Sequence, residues 1–165
     1  MGTEMRNTFI PTLTAALFVL AAPVQANNRA VVEAFCAKLL SDPNAADLDT
    51  KVRDVVVEDW VWIPTPRGGK GAKGLADTLR YFGSRIPDLK WHPQEILQQG
   101  NRYVVRSFAA GTPTGKFFGV EAKAGFKIMT IDINEVRDGR IVKSYHVEDW
   151  ARAIRQVGGG AKKKH

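Results

Sequence analysis

Cysteine is nearly missing from this chain, with Cys36 the single copy. One cysteine closes no internal disulfide, so the core must rest on packing alone. Cys36 stands among Val32, Phe35 and Leu39, where a thiol packs as a small apolar group. Histidine is scarce too, with three widely separated copies that give no zinc-ligand spacing, and no metal is expected. There is no GxSxG nucleophile elbow. The stretch Gly111-Thr112-Pro113-Thr114-Gly115-Lys116-Phe117 imitates a phosphate loop, but its glycines are one residue too close. Phe117 also replaces the hydroxyl that would hold magnesium. Internal repeats are absent. Acidic residues are the minority, 17 against 24 Lys and Arg, for a net charge of +7. Part of that excess is Lys162, Lys163 and Lys164 in a Gly-rich tail. A nucleic-acid partner would need a basic face within the fold, so none is expected.

Long apolar runs are also lacking. Leu13 to Ala22 is the main one, too short to span a bilayer as a helix. Arg6 precedes it, Pro23 breaks it, and Val24-Gln25-Ala26 sets small residues where a signal peptidase cuts. Residues 1–26 thus read as a secretory signal cleaved after Ala26. The expected location is secreted or periplasmic, with no stable membrane insertion after cleavage. Residues 27–157 make one domain of ordinary size, and 158–165 a disordered basic tail.

Apolar residues at 31, 32, 35, 36, 39 and 40 predict a helix from Ala30 to Leu40. Further helices are predicted over Lys51–Val57 and Ala72–Ser84. Strands are predicted over Asp59–Pro64, Trp91–Gln98, Arg102–Ala110, Phe126–Val136 and Ile141–Asp149. A last helical turn covers Ala151–Val157. Three helices followed by an antiparallel sheet define an α+β layer fold. A strongly bent sheet around those helices would enclose a pocket suited to a small ligand.

Asp138-Gly139 joins the last two strands as a hairpin. With a three-residue loop and a Gly bulge, Thr130, Asp132, Ser144, His146 and Glu148 share one face. A two-residue loop would separate Asp132 from His146. A carboxylate beside an imidazole fixes its tautomer and raises its basicity. His146 is therefore the expected base, Asp132 its orienter, and Asp149 either a second acid or a helix cap. Trp60, Trp62, Trp91 and Trp150 suit an apolar pocket lining or ordinary core. Thr130 joins that lining. Arg106 on the third strand suits an oxyanion or substrate carboxylate, or a surface ion pair.

The segments Asp59-Trp60-Val61-Trp62, Ile86-Pro87-Asp88-Leu89-Lys90-Trp91, Gly111-Thr112-Pro113, Met129-Thr130-Ile131-Asp132 and His146-Val147-Glu148-Asp149-Trp150 occur in that order. Together with Gln156-Val157-Gly158, this pattern resembles the SnoaL-like polyketide (ester) cyclases of the nuclear-transport-factor-two-like superfamily, from about Arg29 to Val157. The resemblance implies a cone-shaped fold and often a homodimer paired through sheet faces. It also implies a general acid/base on the last strand, an aspartate in the cyclases, at the position of His146. A polar group on the penultimate strand falls at Asp132. The expected activity needs no cofactor: cyclase-like, isomerase, dehydratase or hydrolase chemistry on a small apolar carbonyl or ester compound. A non-catalytic carrier of small ligands and a dimeric structural module are the alternatives.

Overall fold

A computed structural model of the chain describes residues 22–160, with side chains from Asn28 onward. Most of the proposed signal peptide, and the lysines of the tail, lie outside the described residues. Helix α1 (Ala22–Glu33) continues into a π-helical turn over Ala34–Leu39. Val32, Phe35, Cys36 and Leu39 are buried along its inner stripe, at the spacing read from the sequence. Helix α2 (Leu48–Val55) buries Leu48, Val52 and Val55 and passes directly into strand β1 (Val56–Ile63). Helix α3 (Gly71–Gly83) buries Leu75, Ala76 and Leu79.

The remaining strands are β2 (Lys90–Gln99), β3 (Arg102–Gly111), the short pair β4 (Lys116–Phe117) and β5 (Val120–Glu121), β6 (Phe126–Arg137) and β7 (Arg140–Glu148). Helix α4 (Trp150–Val157) closes the domain. The β4–β5 hairpin was not foreseen, because two-residue strands leave no periodicity to read. The main sheet runs β1-β7-β6-β3-β2. It is antiparallel except at one edge, where β1 lies parallel to β7. Order and layering match the expected α+β cone, with a sheet that does not close on itself.

Alternation along the strands sorts the two sheet faces. On β6 the even positions from Phe126 to Val136 are buried and the odd ones are not. On β3 the odd positions Tyr103, Val105, Ser107 and Ala109 are buried. The apolar ones among these inward residues join Trp60, Phe35 and Leu75 in one core. At Gly111 the sheet passes so close to Ile86 that a Cβ would sit 2.3 Å from its Cγ2, so glycine is required there.

The β6–β7 hairpin decides which side chains meet. Arg137 faces Arg140, so Asp138 and Gly139 form a two-residue loop, with φ of 49° and 72°. Two positive φ values mark a type I′ turn. The loop is therefore shorter than a shared face seemed to require. The compensation lies further along β7. Val136 faces Ile141 but Glu135 faces Lys143, which leaves Val142 as an unpaired bulge. One extra residue restores the parity, and Asp132 sits directly opposite His146 after all.

Candidate active site

Three inward rows cross the sheet between β3 and β7. Tyr103, Asn134 and Ser144 form one, Val105, Asp132 and His146 the next, and Ser107, Thr130 and Glu148 the third. Polar side chains dominate these rows although the face is covered by helices. Asp132, Asn134, Ser107 and Ser144 are each fully buried, at 0 % exposure.

His146 is held from both sides. Its Nδ1 is 2.6 Å from Asp132 Oδ1, and its Nε2 is 3.1 Å from Glu148 Oε2. The imidazole and the Glu148 carboxylate are each only 10 % exposed. Burial by itself disfavours a charged ring. The charges of Asp132 and Glu148, with their hydrogen bonds, outweigh it and push the His146 pKa up to about 10. The ring is thus an imidazolium at neutral pH, with both nitrogens engaged. With Nδ1 on Asp132 and Nε2 on Glu148, the expected role of His146 as base requires one of these two contacts to open. The triad carries a net charge of −1 when both carboxylates are ionised.

Other expected residues divide sharply. The Trp62 ring lies 4.9 Å from the His146 ring, and Trp60 lies 5.0 Å from Trp62. Both belong to the site's wall. The Trp91 indole donates to Thr130 Oγ1 at 3.2 Å, which fixes Thr130 beside Glu148. Trp150 instead packs among Phe82, Phe117, Phe118 and Phe126. That cluster makes it core around α4. Asp149 caps α4, its Oδ1 accepting from the Arg152 amide at 2.9 Å, so its carboxylate is committed to the helix. Arg106 falls on an even position of β3 and therefore on the outer face, where it pairs with Glu95 at 3.3 Å. It reaches no group of the site. Cys36 is buried in the helix layer, and burial first, then the Asp132 charge, pushes its thiol pKa up.

Residues to which the sequence reading gave no role complete the arrangement. Glu148 was visible two positions beyond His146 on the same face. Asn134 was visible by the same parity on β6. Tyr103 and Ser107 required knowledge of the β3–β6 register, which no local pattern supplies. Asp132 Oδ2, Asn134 Nδ2, Tyr103 OH, Ser107 Oγ and Trp62 Nε1 are buried without a hydrogen-bond partner among the described residues.

Two surface grooves, of about 700 and 230 Å³, lie elsewhere. One runs along Lys38, Ser41 and the β2 edge at Trp91 and His92, the other between α2 and α3. Neither is lined by Asp132, His146 or Glu148. Buried, partnerless polar chemistry marks the site more strongly than groove size does. Among the described residues no group of three or more His, Cys, Asp or Glu is arranged to hold a metal ion.

A family model for the SnoaL-like polyketide cyclases matches residues 30–157. The chain belongs to that family. No curated protein matches it. Among solved structures, this SnoaL-like chain is similar to TsrD from Streptomyces laurentii. That match has 19% identity and a TM-score of 0.69, over 83% of this chain and 98% of that one. IdmH from Streptomyces antibioticus is 23% identical with a TM-score of 0.67, over 79% and 98% of the two chains. A SnoaL-like polyketide cyclase from Agrobacterium tumefaciens is 19% identical with a TM-score of 0.62, over 79% and 98%. At such identities the likeness establishes the SnoaL-like fold, and the chemistry must be argued from this chain's residues.

Proposed function

We propose that this SnoaL-like protein is an exported, cofactor-independent enzyme that moves a proton next to a carbonyl in a small, largely apolar ketone or ester. The observation that carries the reading is the buried Asp132–His146–Glu148 triad with one Asp132 oxygen left over. His146 engages two carboxylates through its two ring nitrogens and so fixes Asp132 in place inside the fold, with Oδ1 occupied. Asp132 Oδ2, with no partner among the described residues, is the atom free to accept a proton. It takes that proton from the carbon beside the carbonyl and returns it at another position. Cyclisation of the enolate onto a second carbonyl and simple isomerisation both begin with this step. A site of net negative charge favours a neutral substrate over an anionic one. The family of cyclases supports this class of reaction. The apolar outer sheet face supports a homodimer.

The test uses deuterium exchange, which needs no knowledge of the final product. A panel of small ketones and esters is incubated with the protein in D₂O, and loss of the alpha-proton signal is followed by NMR. Asp132→Asn and His146→Ala should each slow exchange by about a hundredfold or more, the scale of lost acid/base catalysis. Undiminished exchange in both variants would refute the assignment. Tight binding with no exchange by the unaltered protein would make it a carrier.

A further inference from the structure

The segment between β1 and α3, Pro64-Thr65-Pro66-Arg67-Gly68-Gly69-Lys70, takes no part in the triad, yet it is clamped onto α3. The Gly68 amide donates to Thr78 Oγ1 at 2.9 Å, and that hydroxyl donates to the Gly74 carbonyl at 2.7 Å. A Cβ on Gly68 would sit 2.2 Å from the Gly74 oxygen, so only glycine allows this approach. The clamp lays the neighbouring Arg67 against α3. Its guanidinium carbon lies 4.4 Å from the centre of the Tyr81 ring.

A second guanidinium meets the same ring. Arg85 follows α3, and its guanidinium carbon lies 3.8 Å from the Tyr81 centre. Its Nη1 donates to the Tyr81 carbonyl and to Ser84 Oγ, each at 3.3 Å. Its own carbonyl accepts from the Thr114 amide at 2.8 Å and the Thr114 hydroxyl at 3.2 Å. Both arginines are thus fixed from their backbones outward.

Two positive charges on one ring stand no more than about 8 Å apart, within a Debye length at physiological ionic strength. They repel each other. The ring attracts each of them but carries no net charge to cancel the pair. Elsewhere Arg29, Arg80, Arg102, Arg106 and Arg137 each pair with a carboxylate. Arg67 and Arg85 pair with none among the described residues. The acidic side chains nearest to Tyr81 and Arg85 in sequence are already engaged, Asp77 by Lys73 and Arg80, and Asp88 by the Thr112 amide.

We propose that Arg67 and Arg85 form a binding site for a phosphate dianion, either the free ion or the phosphate group of a monoester. Two guanidinium forks match the charge of such a group, about −1.5 to −2 at neutral pH. Their parallel N–H donors suit its oxygens better than an ammonium would. Charge-assisted bonds of about 2.8 Å from each fork, added to the width of the anion, reach across the gap. Tyr81 restrains both side chains beforehand, so little rotamer freedom is lost on binding. The triad is net negative and does not suit such an anion, so the two sites take different chemistry.

Protein labelled with ¹⁵N at arginine is titrated with sodium phosphate, with phenyl phosphate, and with sodium chloride at matched ionic strength. Phosphate should move the Nε–H resonances of Arg67 and Arg85 along one saturating curve, and chloride should not. Both side chains are exposed, so their variants keep the fold. Arg67→Gln and Arg85→Gln should each weaken phosphate binding by about tenfold or more, the scale of a lost hydrogen bond to a charged group. Arg67→Lys keeps the charge without the fork and should recover only part of the loss. Arg106→Gln, on the outer sheet face, should bind as the parent does. Shifts that never saturate, equal shifts with chloride, or unchanged binding in Arg67→Gln overturn the site. Phenyl phosphate that binds several-fold more tightly than the free ion supports a monoester as the ligand, and equal binding supports the free ion.

Discussion

An imidazolium buried between two carboxylates ties the stability of the protein to pH. His146 has a pKa of about 10 in the folded chain against an ordinary value of 6.5. The group binds its proton more tightly when folded. Its stabilising contribution is therefore complete below about pH 6.5 and lost as pH rises through about 10. Urea midpoints measured from pH 6 to 10.5 should fall over that window. A His146→Gln variant, which removes the titrating group, should lose most of the slope. The same variant leaves two carboxylates without their cation and should cost about 3–5 kcal/mol at pH 7, the usual loss when one partner of a buried pair is removed. A flat profile in the unaltered protein would rule out the charged triad. The residue types of the site were readable: Asp132 and His146 could be paired from sequence. Their roles were not, because the second carboxylate partner and the burial that set the ring's charge arise from packing.

At the scale of the elements, the hairpin bulge holds the site together. The turn was legible from Asp138-Gly139, and the shared face was legible from even spacing. The device linking them was not, because a bulge at Val142 has no residue signature of its own and follows from how β7 seats on β6. Deleting Val142 alone yields a regular two-residue hairpin in which Glu135 still faces Lys143 and Asp132 still faces His146. Deuterium exchange in that variant should stay within a few-fold of the parent. Deleting Val142 and Lys143 together slips the pairing by one residue, brings Val147 opposite Asp132, and turns His146 to the outer face. Exchange should then drop by about a hundredfold or more, as for direct removal of the catalytic group. Equal activity in both deletions would show that the register does not govern the site. The same parity rule decides between the two readings of Arg106 in favour of the surface ion pair. Its neighbours alternate as a strand should, and only the β3–β6 pairing reveals that odd positions face inward.

For the whole molecule, the outer sheet face stands out. Val61, Met129, Tyr145 and Val147 are exposed there by 48, 48, 36 and 66 %. β1, β6 and β7 carry them side by side. Lys143 and Glu135 share that face, opposite each other and beside Val61, and a face with this many exposed apolar side chains is a pairing surface more often than bare surface. Light scattering on the purified protein should give the mass of a dimer, and Tyr145→Lys with Val147→Glu should give a monomer that remains folded. A parent that is monomeric at high micromolar concentration would remove the homodimer from the proposal.

The open end of the cone has a different meaning. Because the sheet does not close, β2 keeps one side free of any strand partner in the main sheet. That rim carries Pro93, which has no amide proton to offer, and the register breaks between Pro93 and Glu95. Lys90 and Glu95 add charge along it. An intruding strand would meet an interrupted ladder and charged side chains in place of a continuous row of donors and acceptors. The cone can therefore stay unclosed without inviting polymerisation, and the mouth of the fold is protected by the irregularity of its own last rung.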